Sequence, residues 1–278
     1  GTAEVTDELI GAIIEEAGKI AEELLCPINQ SGDAEACHFD NATVTTPEGF
    51  KEAYKVYAEG GWSGLTGDVN YGGQGMPKML SAVIEEMSLA ANCSFALYTI
   101  LSTGATLTLN QHGSDELKQR YLPQMYSGKW SGTMCLTESH AGTDLGMIKT
   151  KAEPQSDGSY LLSGSKIFIT AGEHDLTENI IHLVLAKLPD APSGSKGISL
   201  FLVPKFLVDE SGVLSSERNT VACGSIEHKM GIKASATCVM NFDSAKGYLV
   251  GEENQGLSHM FTMMNYERLS MGLQGNGL

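Results

Sequence analysis

The sequence predicts an α+β fold, with an N-terminal all-α domain, a middle β-barrel or β-sandwich domain and a further C-terminal helix. Apolar residues at helical spacing dominate residues 1–129, and short β-branched runs between turn signals dominate residues 130–248. Helical spacing returns in residues 249–278. A chain of 278 residues with 42% apolar residues is long enough for two folded domains.

The N-terminal helices are predicted in order from their spacing and caps. Apolar residues recur at i, i+3, i+4 and i+7 over residues 10–24, which indicates a first helix. The stretch "TTPEGF" offers Thr46 as N-cap and Pro47 as the first helical residue. A long apolar helix over residues 80–110 is interrupted after residue 91, and Ser114 starts another helix that ends near residue 128.

The middle region has the spacing of strands. The stretch "SYLLSGSKIFIT" predicts two strands around a Gly164–Ser165 turn, and Asp157–Gly158 is a second hairpin signal. "IIHLVLAKL", "GISLFLVPK" and "TCVMNFD" are further short runs rich in β-branched or aromatic residues. Strands at this density without intervening helices favour a small barrel or sandwich.

The last segment is predicted to be a helix with one apolar face. The residues on that face are Leu257, Met260, Phe261, Met264 and Met271. The helical pattern continues to the last residue with this face open, so we expect the chain to be a truncated form of a longer protein.

Composition excludes several classes of function. The net charge of −16 and the small number of Lys and Arg residues, 18, argue against nucleic-acid binding. Apolar stretches are interrupted within about ten residues, which predicts no membrane span. The six cysteines form no CxxC pair and stand near no histidine at zinc spacing. We therefore expect reduced, mostly buried thiols in a cytoplasmic protein without a metal site.

The stretch "MCLTESHAGTDLG" suggests a hydrolase triad of Ser139, His140 and Asp144. Adjacent strand residues point to opposite faces, so Ser139 and His140 cannot easily meet. The G-x-S-x-G elbow of nucleophilic serines is also missing. A backbone cradle fits better, because Gly142 permits close approach and the Thr143 hydroxyl adds a donor. The plain alternative is a polar loop without a ligand.

A second segment, "KIFITAGEHD", ends a strand and then turns at Gly172. Phe168 and Thr170 are two residues apart and are expected on one strand face, with Ile169 between them. An aromatic ring and a hydroxyl on one face can pack against a planar cofactor and bind its edge. An ordinary half-buried strand end is the alternative.

Together these motifs resemble the acyl-CoA dehydrogenase family. The resemblance is carried by "YGGQG", "LTESHAGTDLGMIKTKA", "LSGSKIFITAG", "EHKMGIKASAT", "LVGEENQGL" and "MNYERL", in the family's order and spacing. It covers essentially the whole chain and looks most like the bacterial branch of 3-methylthiopropionyl-CoA dehydrogenase-like enzymes. It implies that the last helix opens a C-terminal helical bundle, most of which is absent.

The resemblance also implies FAD as cofactor and assigns residues to it. Leu136 and Thr137 would face the flavin ring edge, together with Met134, whose position is often aromatic in relatives. Gly142 and Thr143 would lie by the flavin pyrophosphate and the acyl-CoA entrance.

On the second segment, the resemblance places Phe168 beside the isoalloxazine, where relatives often carry tryptophan, with Ile169 following it. Thr170 would hydrogen-bond near the flavin N5. Leu101 and Thr103 are the residues assigned to the acyl pocket.

The implied reaction is α,β-dehydrogenation of an acyl-CoA, such as 3-methylthiopropionyl-CoA or a short- or medium-chain thioester, to the trans-2-enoyl-CoA. An electron-transfer flavoprotein would accept the electrons, and the full-length protein would be a homodimer or homotetramer. Three alternatives stay open: an acyl-CoA oxidase-like enzyme, a nitroalkane oxidase-like enzyme, and a non-catalytic DNA-binding flavoprotein of the AidB kind.

The base of this reaction has two candidate sources. Glu267 lies within the arc of the apolar stripe on the last helix, where desolvation raises a carboxyl pKa. In one branch of the family the base stands at this glutamate, whereas most members take it from the C-terminal domain. A paired or solvated glutamate without a catalytic role is also open, and Arg268 would orient the helix or its acidic neighbours.

Overall fold

The computed structural model describes residues 5–277. Helices make up most of the N-terminal part. In chain order its elements are α1 (Asp7–Lys19), α2 (Asn29–Glu35), β1 (His38–Asp40), β2 (Thr43–Thr45), α3 (Phe50–Glu59), α4 (Lys78–His112) and α5 (Asp115–Tyr126). The short β1–β2 hairpin lies in the region predicted to be all-α. The domain boundaries at residues 129 and 248 stay predictions.

The predicted helix starts are confirmed at one position and wrong at another. The Ser114 hydroxyl accepts a hydrogen bond from the Leu117 amide at 3.3 Å, so α5 is capped as predicted. Helix α3, however, begins at Phe50, and the Thr46 hydroxyl donates to Asp175 Oδ1 at 2.8 Å. A contact with a residue 129 positions away therefore replaces the predicted local cap.

The predicted interruption of α4 is confirmed at Asn92, whose φ of −157° and ψ of 89° are not helical. Its side chain donates to the Leu25 carbonyl at 3.2 Å and accepts from the Phe95 amide at 3.0 Å. The same residue therefore ties the break to the first helical segment and caps the second half of α4.

The sequence predicted no membrane span, but α4 passes the test for one. Of the helices in the described residues, α4 is long and apolar enough to cross a membrane, by length and composition alone. In the structure, 56% of its most apolar window is buried inside the protein, and a core helix passes the same test.

The middle part is a barrel of strands. In chain order its strands are β3 (Trp130–Cys135), β4 (Lys151–Pro154), β5 (Tyr160–Thr170), β6 (Asn179–Lys187), β7 (Ile198–Pro204), β8 (Phe206–Val208), β9 (Leu214–Arg218), β10 (Val221–Ile226) and β11 (Thr237–Leu249). The circuit β4–β5–β11–β7–β6 closes because β6 also pairs with β4. Strand β3 joins β6 in parallel, and β10 joins β11.

One predicted turn in this barrel is wrong. Residues 160–170 form the single strand β5, without a turn at Gly164–Ser165. A Cβ on Gly164 would lie 2.4 Å from the Thr150 hydroxyl, so this glycine permits the close approach of the segment just before β4. The Asp157–Gly158 signal is confirmed, since β4 and β5 pair antiparallel around it.

Helix α6 (Gly256–Gly277) packs against α4, and its buried face differs from the predicted one. The buried residues are Gly256, Met260, Met263, Glu267 and Ser270, which have the 3–4 spacing of a packed helix seam. Phe261 and Met271, which were predicted on the apolar face, are exposed. The face of α6 that packs against α4 is therefore rotated about the helix axis relative to the face predicted from hydrophobic residues alone.

All six cysteines are free thiols, as predicted. Cys26 is exposed and Cys37 is half-buried, whereas the other four are buried. Within the described residues, no cluster of three or more His, Cys, Asp or Glu residues could hold a metal ion.

Candidate functional site

The two segments singled out in the sequence lie side by side. The Ile167 amide donates to the Thr137 carbonyl at 2.9 Å, and the Lys166 ammonium donates to the Leu136 carbonyl at 2.9 Å. The segment that follows β3 is thereby joined to the end of β5. We call residues 134–143 together with Phe168–Thr170 the strand-end site.

A buried ion pair holds this arrangement together. The Lys166 ammonium lies 2.9 Å from Glu138 Oε1, and both side chains are buried. Glu138 also accepts from the Thr150 hydroxyl at 2.6 Å and from the Lys149 amide at 2.7 Å. Burial opposes ionisation, yet the Lys166 charge and these hydrogen bonds hold the pKa of Glu138 below its usual range.

The loop after Glu138 is a tight turn and not a catalytic triad. Ala141 and Glu138 exchange backbone hydrogen bonds of 3.0 and 3.1 Å. His140 Nε2 lies 3.1 Å from the Met147 carbonyl, and Asp144 accepts from the Gly146 amide at 2.9 Å. Within residues 5–277, Ser139 has no side-chain hydrogen bond to His140.

The loop leaves its outer side open. Gly142 and Thr143 are exposed, and a Cβ on Gly142 would meet only Thr137 Cγ2, at 3.9 Å. Met134 and Leu136 are half-buried and pack on one side against the core around Trp130. Backbone and hydroxyl groups therefore dominate the open surface of this segment.

At the end of β5, Phe168 has a φ of 59° and its side chain is 58% exposed. A non-glycine residue with a left-handed backbone and an exposed aromatic ring is unusual in a strand, and such positions cluster at binding sites. Thr170 is half-buried beside it. The side chain of Ile169 is 2% exposed and packs in the barrel core, so the cofactor-binding assignment does not extend to this side chain.

A second site lies between α4 and α6, and we call Glu85, Gly104, Tyr266, Glu267 and Ser270 the carboxylate seam. Glu267 is buried, and its Oε1 has no hydrogen-bond partner within the described part of the chain. A Cβ on Gly104 would lie 2.6 Å from this oxygen. Burial, together with the Glu85 charge, raises the pKa of Glu267 to about 8.

Sequence reasoning missed Glu85. Its carboxylate accepts hydrogen bonds from the Tyr266 hydroxyl and, at 3.0 Å, from the Ser270 hydroxyl. Burial raises the pKa of Glu85, and these two hydrogen bonds counteract the shift. Its partners lie 181 and 185 residues away, so no local pattern indicated the pairing.

A small cavity of about 30 Å³ adjoins the seam. Glu85, Thr99 and Thr103 contribute to its wall. Leu101 does not line this cavity, because its side chain is buried in the core with Ala105 and Trp130, and its assignment to the acyl pocket stays a prediction.

Arg268 lies on the outside of α6. It donates to Asn265 Oδ1 at 3.0 Å and its guanidinium lies 5.8 Å from the centre of the Phe261 ring. Within the described residues it makes no ion pair with Glu85 or Glu267, so the predicted contact with acidic neighbours is not seen.

Comparisons with known proteins match this architecture. The model of the acyl-CoA dehydrogenase N-terminal domain matches residues 10–129, and that of the acyl-CoA dehydrogenase middle domain matches residues 133–245. A 3-methylmercaptopropionyl-CoA dehydrogenase of Ruegeria pomeroyi is 49% identical over 95% of this chain and 45% of its own. A butyryl-CoA dehydrogenase of Syntrophomonas wolfei is 41% identical over 96% of this chain and 46% of its own.

Among solved structures, an acyl-CoA dehydrogenase complexed with FAD from Bacillus anthracis superposes with a TM-score of 0.78 at 26% identity. That match covers 100% of this chain and 43% of the other. The chain therefore spans less than half the length of these three relatives.

Proposed function

Because the chain belongs to the acyl-CoA dehydrogenase family, we propose that it is the N-terminal and middle part of a FAD-dependent acyl-CoA dehydrogenase. The reaction would remove an α-proton and a β-hydride from an acyl-CoA thioester and leave the trans-2-enoyl-CoA. The observation that carries the proposal is the joining of the two strand ends, which brings Phe168 and Thr170 beside the segment after β3.

The residues of the strand-end site fit a flavin. An exposed Phe168 ring provides a face for a planar group, and the open backbone at Gly142 allows close approach. Leu136, Thr137 and Thr170 would hold the ring edge, while Thr143 would lie toward the pyrophosphate. When bound there, FAD supplies the two-electron acceptor of the dehydrogenation.

Glu267 is the residue of this chain that can hold the α-proton. A base works best with a pKa near the operating pH, and the pKa of about 8 for Glu267 meets this requirement. Its orphaned Oε1 leaves one carboxyl oxygen free for a proton. A carboxylate in the part of the relatives beyond this chain is the competing source.

The substrate class we propose is a short acyl-CoA. The names of two relatives support it: a 3-methylmercaptopropionyl-CoA dehydrogenase of Ruegeria pomeroyi and a butyryl-CoA dehydrogenase of Syntrophomonas wolfei. Both acyl groups are short. An electron-transfer flavoprotein is the proposed acceptor, and a homodimer or homotetramer the proposed assembly.

The test uses the full-length protein purified with FAD. We expect a flavin absorbance band that is bleached by short acyl-CoAs and restored by an electron-transfer flavoprotein. Thr170→Val should weaken FAD retention on dialysis, whereas Ser165→Ala, on the same strand and exposed, should not. Full-length protein that does not take up FAD would contradict the proposal. Peroxide release without an added acceptor would indicate the oxidase alternative.

The source of the base is tested by Glu267→Gln in the same protein. If Glu267 is the base, turnover falls by orders of magnitude while FAD absorbance is retained. Unchanged turnover assigns proton abstraction to the region beyond this chain.

A further inference from the structure

A second cavity, of about 320 Å³, lies where the end of α2 meets the segment between β10 and β11. Cys37, Lys229, Lys233 and Ser235 contribute to its wall, and none of the residues assigned to the flavin or to the carboxylate seam does. Its volume is within the range of small-molecule sites.

The Lys229 ammonium in the wall of this cavity is held by neutral groups. The Lys229 ammonium donates to the Ser235 carbonyl at 2.7 Å and to the Thr237 hydroxyl at 2.9 Å, which are both neutral acceptors. Over residues 5–277, neither Lys229 nor Lys233 forms an ion pair with a carboxylate. An ammonium has three donors, so Lys229 keeps one for a ligand.

The acidic groups nearby form no ion pair with these lysines, although the Asp33 charge acts on Lys229. Asp33 accepts from the Lys233 backbone amide at 2.8 Å, and Glu227 is the acid among the residues that line the cavity. His228 lines it as well. Two lysines therefore face the cavity beside one glutamate, and none of the three charges is paired with another in the described residues.

A buried hydroxyl points to the same conclusion. Ser235 is 1% exposed and lines the cavity, and its Oγ has no hydrogen-bond partner within the described residues. Buried hydroxyls in folded proteins are nearly always hydrogen-bonded, so an orphan at a cavity wall indicates a missing partner. A hydroxyl can donate to an anion in the same way that Lys229 can.

We propose that this cavity binds a small organic anion through a phosphate or carboxylate group. Lys229 and Lys233 supply the charge, and the Ser235 hydroxyl supplies a neutral donor. Thr237, which Lys229 contacts, is the register partner of Thr170, so the anion would lie next to the strand-end site without being part of it.

Cys37 offers a direct measurement, because its half-buried thiol lies in the wall of the cavity. The rate of iodoacetamide alkylation at Cys37 is followed by peptide mass spectrometry, with inorganic phosphate or malonate added at constant ionic strength. We expect either anion to slow alkylation of Cys37 at least threefold, with no effect on the exposed Cys26. Comparing the two anions distinguishes phosphate from carboxylate recognition.

Variants assign the effect to the cavity. Lys229→Gln should abolish the protection, and Ser235→Ala, a smaller change, should weaken it. Lys246→Gln, which removes a surface pair with Asp157, should keep it. An unchanged rate with both anions, equal protection in Lys229→Gln, or protection by FAD alone would overturn the proposal.

A second measurement covers the case in which Cys37 reacts too slowly to follow. Phosphate or malonate should raise the Tm of the unmodified chain and of Lys246→Gln, because a ligand that binds the folded state stabilises it. The rise should be lost in Lys229→Gln and reduced in Ser235→Ala. Equal Tm shifts in all variants would overturn the proposal, and this readout does not depend on dehydrogenase activity.

Discussion

Two buried glutamates show how differently this protein treats a charge removed from water. Glu138 is 5% exposed and Glu267 is 9% exposed, so burial alone does not distinguish them. Glu138 is surrounded by donors and by the Lys166 ammonium, whereas Glu267 faces a glycine and a second carboxylate. The pKa of Glu138 is lowered, and that of Glu267 rises to about 8.

The partners of a buried carboxylate, rather than its depth, therefore decide what it can do. A fully satisfied carboxylate is locked in its ionised form and positions the groups around it, as Glu138 does for the strand-end site. A buried carboxylate without partners can take up and release a proton near neutral pH.

The largest effect is expected from Lys166→Met. It leaves the Glu138 carboxylate buried without its counter-charge, which costs about 3–5 kcal/mol in the free energy of unfolding. Chemical denaturation at pH 7 measures the change. Lys246→Met is the matched control, because its pair with Asp157 is exposed and contributes about 1 kcal/mol or less. Equal losses of unfolding free energy in both variants would contradict the larger contribution expected of the buried Lys166–Glu138 pair.

Glu267→Gln should have the next largest effect, and it should depend on pH. The folded pKa of about 8 lies above the ordinary value of 4.5, so the folded chain binds the extra proton between these pH values. This contribution to stability is fully present below pH 4.5 and is lost as the pH rises through 8. Since glutamine does not titrate, the variant should be more stable than the parent by roughly 2–4 kcal/mol at pH 9.

Denaturation curves from pH 4.5 to 9 check this prediction. The difference between parent and variant should grow with pH and level off above pH 8. A difference that does not change with pH would mean that Glu267 is solvated or paired.

The surroundings of the two glutamates also differ in how far they could be predicted from the sequence. The two segments of the strand-end site could be singled out, because turn glycines and β-branched runs are local signals around Thr137 and Thr170, and the flavin roles of their residues stay predictions. The buried location of Glu267 followed from helical spacing. Glu85 could not be found in this way, since its partners Tyr266 and Ser270 lie on a helix far along the chain.

Two finer details have physical causes of the same kind. Strand alternation puts Phe168 and Ile169 on opposite faces, and only the resemblance assigned a cofactor role to Ile169. In the structure the Phe168 ring is exposed, with a left-handed φ, while Ile169 packs in the barrel core. On α6, Met263 is buried and Phe261 is exposed, because packing against α4 selects the stripe. Tertiary contacts determine which of these side chains is buried, and a local sequence pattern carries no information about such contacts.

Gly104→Ala should have a smaller effect than the two charge changes. The new Cβ would lie 2.6 Å from Glu267 Oε1 and 2.9 Å from Met263 Cγ, so α4 and α6 must shift apart. We expect a loss of about 1–3 kcal/mol, partly offset by the higher helix propensity of alanine. Thermal unfolding followed by circular dichroism measures it.

The matched control is Gly272→Ala on α6, where a Cβ would meet no atom within 4 Å. This change should stabilise the chain by about 0.5–1 kcal/mol. If Gly104→Ala also stabilised the chain, the close approach of Glu267 to α4 would be refuted.

The smallest effect is expected from Ser270→Ala, which removes one of the two donors to Glu85. The loss should be about 1 kcal/mol above the raised pKa of Glu85 and should shrink as the pH falls through it, because a hydroxyl bonds an ionised carboxylate more strongly than a neutral one. Ser81→Ala, whose hydroxyl donates to the Lys78 carbonyl, is the control and should not vary with pH.

Ser270→Ala also tests whether the two carboxylates of the seam act on each other. The Glu85 charge is one cause of the raised pKa of Glu267, and weaker hydrogen bonding to Glu85 favours its neutral form. The pH-dependent stability gain of Glu267→Gln should therefore shrink when Ser270→Ala is already present. Purely additive effects of the two substitutions at every pH would mean that Glu267 is perturbed by burial alone.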